Sequence, residues 1–182
     1  MFKKIWQIIL FIFLISAISI AQISFLPALP HFLSKINLVV IVLMFSLFFF
    51  NFSSAVWVAL IGGFWLDLVS FNFFGAHIFI LFSAAFLTYR ISDSWLTNRS
   101  LYSFSFLILI ATVIFNIIRE GLFYLIADHS YFFLFQGGFW LDLLYQCAWS
   151  VAAALLMFNL AGILTRRLKP FFLEKRTLYD II

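Results

Sequence analysis

The chain has 182 residues, of which 66% are hydrophobic and only 10% are charged, and its formal net charge is +4. A soluble domain carries about 25% charged residues, so this composition excludes an ordinary water-soluble protein. It predicts an all-α integral membrane protein that forms one compact bundle in a bilayer. The cations lie at the ends of apolar segments, so they indicate membrane orientation rather than nucleic-acid binding. The single cysteine, Cys147, excludes a disulfide bond within the chain and is expected to be a packing residue.

The first apolar run covers residues 5–26 and follows two lysines. It could be a signal peptide with a small-residue cleavage site at Ser19-Ile20-Ala21, but it is longer than the apolar core of about 7–15 residues that signal peptides have. We therefore interpret it as an uncleaved membrane span. Pro27 ends this span, because proline cannot continue a helix interior.

Five further spans are predicted, which makes about six in total. In chain order they are residues 38–50, 55–69, 75–89, 101–126 and 138–164. A polar connector, 31–37, follows the first span, and a turn with capping residues, 51–54, precedes the third. The apolar stretch 131–164 is too long for one straight span of about 20 residues, so two glycines are expected to separate an interfacial piece, 131–136, from the last span.

The placement of lysine and arginine predicts the orientation. With six spans, one side of the membrane holds Lys3, Lys4, Arg90, Arg99, Arg166, Arg167, Lys169, Lys175 and Arg176. The other side holds only Lys35, and Arg119 lies within a span. Both termini are therefore expected in the cytoplasm. Residues 1–164 would form a helical bundle in the cytoplasmic membrane, and residues 165–182 would form a basic cytoplasmic tail. The tail could lie on an anionic membrane surface, dock a cytoplasmic partner or act as a solvated anchor.

A stripe of small residues runs along the third span. Ala55, Ala59, Gly63 and Asp67 are spaced by four residues, so they share nearly one helix face. Small side chains on that face allow another helix to approach closely. Asp67 is on the same face, so it is expected to point at protein rather than at lipid.

Four ionisable residues lie within apolar runs, namely Asp67, Arg119, Glu120 and Asp142. Helix rise places all four in the outer half of the bilayer, where an unpaired carboxylate would cost at least about 2.5 kcal/mol. We expect Arg119 to pair with Asp67 or Asp142 across helices and so to determine helix order. Glu120 projects about 100° away from Arg119 and need not be its partner. A substrate or proton site is the alternative use of this layer.

Polar stripes also run along the last two spans. The fifth carries Thr112, Asn116 and Glu120 at four-residue spacing, and the sixth carries Gly138, Asp142, Gln146, Ser150 and Ala154. The polar side chains of the two stripes could form hydrogen bonds with one another, or they could line a small cavity. The spacing alone does not separate these two arrangements.

One heptapeptide, GGFWLDL, occurs twice, at residues 62–68 and 137–143. The copies would have opposite membrane orientations, as in inverted-repeat transporters, but their flanks differ and both aspartates fall at the same depth. We therefore favour coincidence. The chain has no HExxH, GxSxG or phosphate-binding loop, and its three histidines are scattered, so we predict neither an enzyme nor a metal or cofactor site.

Residues 62–77, GGFWLDLVSFNFFGAH, resemble the MreD family of bacterial rod shape-determining membrane proteins. Members show a glycine-containing helix that ends in Leu-Asp, then a serine, and then a glycine that opens the next helix. Here these positions are Leu66-Asp67, Ser70 and Gly75. The glycine-rich turn of the family is replaced by residues 71–74, Phe-Asn-Phe-Phe. Chain length, helix order and the basic tail are also similar to that family.

The resemblance implies a non-catalytic scaffold of the cell-elongation (rod) complex, which helps to position peptidoglycan synthesis and maintain cell shape. Its implied partners are an MreC-like protein, an MreB-like cytoskeleton, a RodA-type glycosyltransferase with its transpeptidase, and membrane lipid. Asp67 and Gly75 would be structural marks of the family. The alternative is the substrate-capture subunit of an energy-coupling-factor vitamin transporter, because the outer polar layer, with Trp65 and Trp140 beside it, would suit a pocket. A lipid or polyprenyl carrier has no positive support.

Overall fold

The computed structural model describes residues 2–70, 73–95, 101–126 and 137–168. These residues form six long helices, one short helix and one 3-10 turn, Leu26–Ala28, and they contain no strand. The helices are α1 (Phe2–Ser24), α2 (His31–Ser34), α3 (Leu38–Phe49), α4 (Phe52–Val69), α5 (Ala76–Trp95), α6 (Leu101–Ile126) and α7 (Gly137–Leu168). The predicted all-helical class is therefore confirmed.

Each predicted span falls on one long helix, and residues 101–126 match α6 at both ends. The turn predicted over 51–54 is wrong, because α4 already begins at Phe52 and only Phe50 and Asn51 separate it from α3. Asn51 has extended backbone and occupies the cap position, while the two serines after it belong to the first helical turn. The predicted interfacial piece, 131–136, and tail residues 169–182 lie outside the described residues.

Three helical stretches in the described part of the chain are long and apolar enough to cross a membrane. They are Ile8–Ala28, Phe52–Val69 and Tyr102–Leu125. The helix Leu38–Phe49 is also apolar but shorter. The prediction that α5 and α7 are membrane spans as well stays a prediction.

The long helices alternate in direction. At one end of the bundle, the Gln22 side chain near the end of α1 accepts a hydrogen bond from Val39 N at the start of α3, at 2.8 Å. At the same end, Lys35 in the segment before α3 contacts Asp142 near the start of α7. We call this the connector end, because it contains the connector with α2.

The opposite end contains the turn between α3 and α4, and we call it the hairpin end. There, the ring centroids of Phe48 and Phe104 are 5.0 Å apart, so the end of α3 lies beside the start of α6. The rings of Phe52 and Tyr89 are 4.9 Å apart, so the start of α4 lies beside the end of α5. Consecutive long helices therefore run antiparallel, whereas α1 and α4, which also pack together, run in the same direction.

The hydrophobic core is formed mainly by α3, α4, α5 and α6. Its fully buried side chains include Leu43, Met44, Ile80, Leu81, Phe104, Leu107 and Ile108. Helix α1 contributes Ile15 to this core but leaves Trp6 and Phe13 exposed. Helix α1 is thus a peripheral element that packs on α3 and α4 along one side only.

The predicted stripe of α4 faces protein, since Ala55, Ala59, Gly63 and Asp67 are all buried. A Cβ atom at Gly63 would lie 2.7 Å from the backbone Cα of Ile78 in α5. On the preceding residue, a Cβ atom at Gly62 would lie 2.7 Å from the Val39 side chain of α3. Helix α4 therefore needs both glycines to pack closely between α3 and α5.

Candidate functional site

The carboxylate of Asp67 joins the end of α4 to the start of α5. Its Oδ1 atom accepts a hydrogen bond from His77 N at 2.9 Å and lies 2.9 Å from His77 Nδ1. Its Oδ2 atom accepts from Gly75 N at 3.0 Å and from Ile78 N at 3.4 Å. The Asp67 side chain has no solvent exposure, so these contacts replace its hydration. We call this arrangement the Asp67 cap.

The Asp67 cap satisfies the first backbone N–H groups of α5, which have no partner within their own helix. A carboxylate at this position also interacts favourably with the positive end of the α5 dipole. Residues 73–75, immediately before α5, include no Ser, Thr, Asp or Asn that could cap it locally. This missing local cap, ahead of a helix restart, is the sequence signal that could have pointed to Asp67.

Gly75 and Ser70 complete the link between the two helices. Gly75 has φ +97°, a backbone conformation that favours glycine. The Ser70 hydroxyl lies 3.4 Å from Asp67 O, to which it donates, and 3.5 Å from His77 Nδ1. The Leu-Asp, Ser and Gly positions noted in the sequence therefore all lie in one connection between α4 and α5.

Asp67, Ser70 and His77 do not form a catalytic triad. Both Asp67 Oδ1 and Ser70 Oγ approach the same ring nitrogen, His77 Nδ1. A proton relay requires the acid and the nucleophile on opposite nitrogens of the imidazole. The geometry is that of a helix cap that includes a histidine ring.

The polar cavity is a second feature of the connector end, with a volume of about 390 Å³. Its charged lining residues are Lys35, Arg119, Glu120 and Asp142. The side-chain amides that line it are Gln22, Asn37, Asn116 and Gln146. Asp67, Trp65 and Trp140 are not among the described residues that line it. The expected single layer of four ionisable groups is thus divided between the polar cavity and the Asp67 cap.

The prediction that Arg119 pairs with Asp67 or Asp142 is wrong. Arg119 Nη2 instead lies 2.7 Å from the carboxylate of its chain neighbour Glu120, and Arg119 Nε lies 3.1 Å from it. Asp142 pairs with Lys35 at 2.7 Å, and Asp67 is enclosed by the start of α5. Both candidate carboxylates are therefore already occupied, and the long Arg119 side chain bends toward Glu120.

The polar stripes of α6 and α7 both meet and line the cavity. Asn116 Nδ2 donates to Gln146 Oε1 at 2.7 Å, and both residues are buried. Deeper in α6, the Thr112 hydroxyl donates to Ile108 O within its own helix. Within the described part of the chain, the buried Ser150 hydroxyl has no hydrogen-bond partner. The stripes therefore both bond to each other and line a cavity, the two arrangements that the four-residue spacing could not separate.

A comparison with protein families identifies the chain. A family model described as rod shape-determining protein MreD matches residues 1–164. The chain belongs to the MreD family. The resemblance drawn from residues 62–77 is therefore confirmed. No curated protein and no solved structure gave a match.

MreD membership indicates a membrane-associated protein with a role in rod shape determination. In this MreD-family chain, the residues that carried the resemblance are those of the Asp67 cap and its connection. Among the described residues, no group of three or more His, Cys, Asp or Glu side chains could hold a metal ion.

The two copies of the heptapeptide have different surroundings in this MreD-family fold. Asp67 is buried against α5, whereas Asp142 lies at the polar cavity with its side chain 42% exposed. Gly63 is pressed against α5, but a Cβ atom at Gly138 would meet no other described element within 4 Å. The copies share a sequence and lie at the same end of the bundle, but they make different contacts.

Proposed function

We propose that this protein is a non-catalytic membrane scaffold of the bacterial cell-elongation complex, which helps to position peptidoglycan synthesis and maintain rod shape. The observation that carries the proposal is the MreD family match over residues 1–164. The use of the polar groups also supports a scaffold. Asp67, Asn116 and Gln146 are buried, and each makes a hydrogen bond to another helix or to the start of one. The bonded groups therefore stabilise the packing of the bundle and are not free to bind a reactant.

The proposed topology has six membrane spans with both termini in the cytoplasm. The six long helices of the described residues alternate in direction, so α1 begins and α7 ends at the hairpin end, which supports an even number of crossings. Charge supports the orientation, because Lys35 and Arg119, the cations at the connector end, are each paired with a carboxylate. Arg90 is exposed near the hairpin end, and Arg166 and Arg167 lie at the end of α7. The hairpin end would therefore face the cytoplasm.

The proposed partners are an MreC-like protein, an MreB-like cytoskeleton and a RodA-type glycosyltransferase with its transpeptidase. Exposed apolar faces are available for contact with their membrane helices or with lipid. Trp6 and Phe13 on α1, and Leu144 on α7, are examples of such exposed side chains. Helices associate in lipid through van der Waals packing and hydrogen bonds, so binding would require no bond-making chemistry by this protein.

Depletion of the protein in its native bacterium, followed by microscopy, tests the proposal. Rods are expected to round into spheres, and labelled peptidoglycan precursors are expected to lose their ordered incorporation along the side wall. Expression of the wild-type chain from a second copy should restore both. Unchanged morphology together with lost vitamin uptake would contradict the scaffold and support the substrate-capture alternative.

A further inference from the structure

We propose that the polar cavity binds a zwitterion, a molecule that joins an ammonium group to a phosphate or carboxylate group. Its volume of about 390 Å³ lies within the range of about 300–1,000 Å³ that is typical of small-molecule sites. Three long helices, α1, α6 and α7, and the connector contribute lining residues, so the cavity is part of the bundle and not a groove on one helix.

The four charged residues of the cavity form two ion pairs, Lys35 with Asp142 and Arg119 with Glu120, so their formal charges sum to zero. Lys35 and Asp142 are 33% and 42% exposed at their side chains, so a ligand can reach both. Arg119 and Glu120 are 36% and 15% exposed. Partly exposed pairs of this kind contribute little to stability and can exchange partners readily.

A ligand of a single charge fits this lining poorly. A simple anion would gain Lys35 and Arg119 but would also meet the carboxylates of Glu120 and Asp142. A simple cation would gain the two carboxylates but would also meet the positive charges of Lys35 and Arg119. A zwitterion can place its anionic group between the two cations and its ammonium group between the two carboxylates, so that no charge in the cavity is left without a partner.

The Arg119–Glu120 pair is well placed to open for such a ligand. Side chains of adjacent residues leave a helix about 100° apart, so the Arg119 guanidinium must bend back to reach Glu120. Arg119 is also able to bind a phosphate or carboxylate with two parallel hydrogen bonds. A zwitterion could therefore replace the contact between neighbours with better geometry on both residues.

The side-chain amides add hydrogen-bond donors. Gln22 and Asn37 use their oxygen atoms to accept from Val39 N and Val40 N. Gln146 uses its oxygen to accept from Asn116. Within the described part of the chain, these bonds leave the NH2 groups of all three amides for the anionic group of a ligand.

Two sources could supply this chemistry, namely the headgroup of a zwitterionic phospholipid and a free zwitterion in solution. The test uses the purified full-length protein in nanodiscs. In the first arm, native mass spectrometry compares retention of phosphatidylethanolamine with that of phosphatidylglycerol. In the second arm, calorimetry measures binding of free phosphoethanolamine to protein in nanodiscs made of phosphatidylglycerol alone.

The cavity variant is Lys35→Gln combined with Asp142→Asn, which removes both partners of one pair and leaves no charge orphaned. The matched control is Arg90→Gln combined with Asp93→Asn, which removes the same two types of charge from exposed positions near the hairpin end. We expect the cavity variant to bind about 10- to 100-fold more weakly and the control to bind as the wild type does. Glu120→Gln is a second cavity variant if the first does not fold, and it should also weaken binding.

The outcomes separate the two sources and can overturn the inference. Selective retention of phosphatidylethanolamine that is lost in the cavity variant supports a lipid headgroup, and binding of phosphoethanolamine that is lost in the same variant supports a free ligand. Equal retention of both lipids without phosphoethanolamine binding overturns the inference, as does zwitterion binding that the cavity variants keep. Because binding is measured on purified protein, its failure is distinct from failure of the shape role.

Discussion

Asp67 and His77, ten residues apart in sequence, are joined twice by the same oxygen atom. Asp67 Oδ1 accepts from His77 N and lies 2.9 Å from the ring nitrogen Nδ1. One buried carboxylate thus holds both the backbone and the side chain of the second residue of the next helix. The contact explains why a charged group can stand at the end of an otherwise apolar helix.

Asp67→Asn should destabilise the protein by about 2 to 4 kcal/mol, because the amide removes the charge and turns an NH2 group toward N–H donors. The measurement is denaturant unfolding of the purified protein in detergent. In cells, we expect the same variant to restore rod shape poorly after depletion of the wild-type chain.

The matched control for this substitution is Asp142→Asn in the other copy of the heptapeptide. Asp142 is 42% exposed and pairs with a partly exposed lysine, so its loss should cost less than about 1 kcal/mol. Equal losses for the two variants would show that the Asp67 cap does not stabilise the fold.

Gly63→Ala should also destabilise the protein, by about 1 to 3 kcal/mol, because the added methyl group forces α4 and α5 apart. Gly138→Ala is its counterpart in the second copy, where no other described element lies within 4 Å of a new Cβ atom. That change should be neutral or stabilising by up to about 1 kcal/mol, since alanine favours helix. Thermal unfolding of both variants measures the difference, and a larger loss at Gly138 would contradict the packing described for α4.

Gly75→Ala isolates the effect of backbone conformation. A Cβ atom at Gly75 has open space, so the expected loss of about 1 to 2 kcal/mol comes from the positive φ of +97°. Gly121→Ala serves as the control, because it also has open space but lies within α6. If unfolding experiments find Gly75→Ala as stable as the wild type, the connection does not require its left-handed backbone.

The hydrogen bond between Asn116 and Gln146 should couple α6 to α7. A double-mutant cycle of Asn116→Ala and Gln146→Ala is expected to give an interaction energy of about 0.5 to 1.5 kcal/mol in unfolding experiments. Asn116→Ala combined with Asp93→Asn is the control, and these two changes should be additive because the residues lie at opposite ends of the bundle. Additivity in both pairs would mean that the bond contributes nothing to helix association.

The proposed topology predicts the activity of alkaline phosphatase fusions, since this enzyme is active only outside the cytoplasm. Fusion after Pro30, beyond α1, should give an active enzyme. Fusion after Trp95, beyond α5, or at the C-terminus should give an inactive one. Activity at the C-terminus would contradict six spans with both termini in the cytoplasm.

The sequence by itself determined the helical class, the position of each long helix and the family. Long apolar runs bounded by proline, asparagine and charged residues can hardly form anything else in lipid, because each backbone polar group must bond within its own segment. The buried face of α4 was equally predictable, since four-residue spacing from Ala55 to Asp67 depends only on helix geometry.

Only the tertiary structure decided which polar groups meet. The partner of Asp67 depends on how α4 is rotated and on the path of the chain between α4 and α5, and spacing along one helix contains neither. Arg119 has a long side chain that could reach several carboxylates. In the structure Lys35, from the connector, pairs with Asp142, and Arg119 pairs with Glu120. Which polar side chains pair depends on the relative placement of whole helices. Local sequence patterns could therefore identify the polar residues but not the partner of each one.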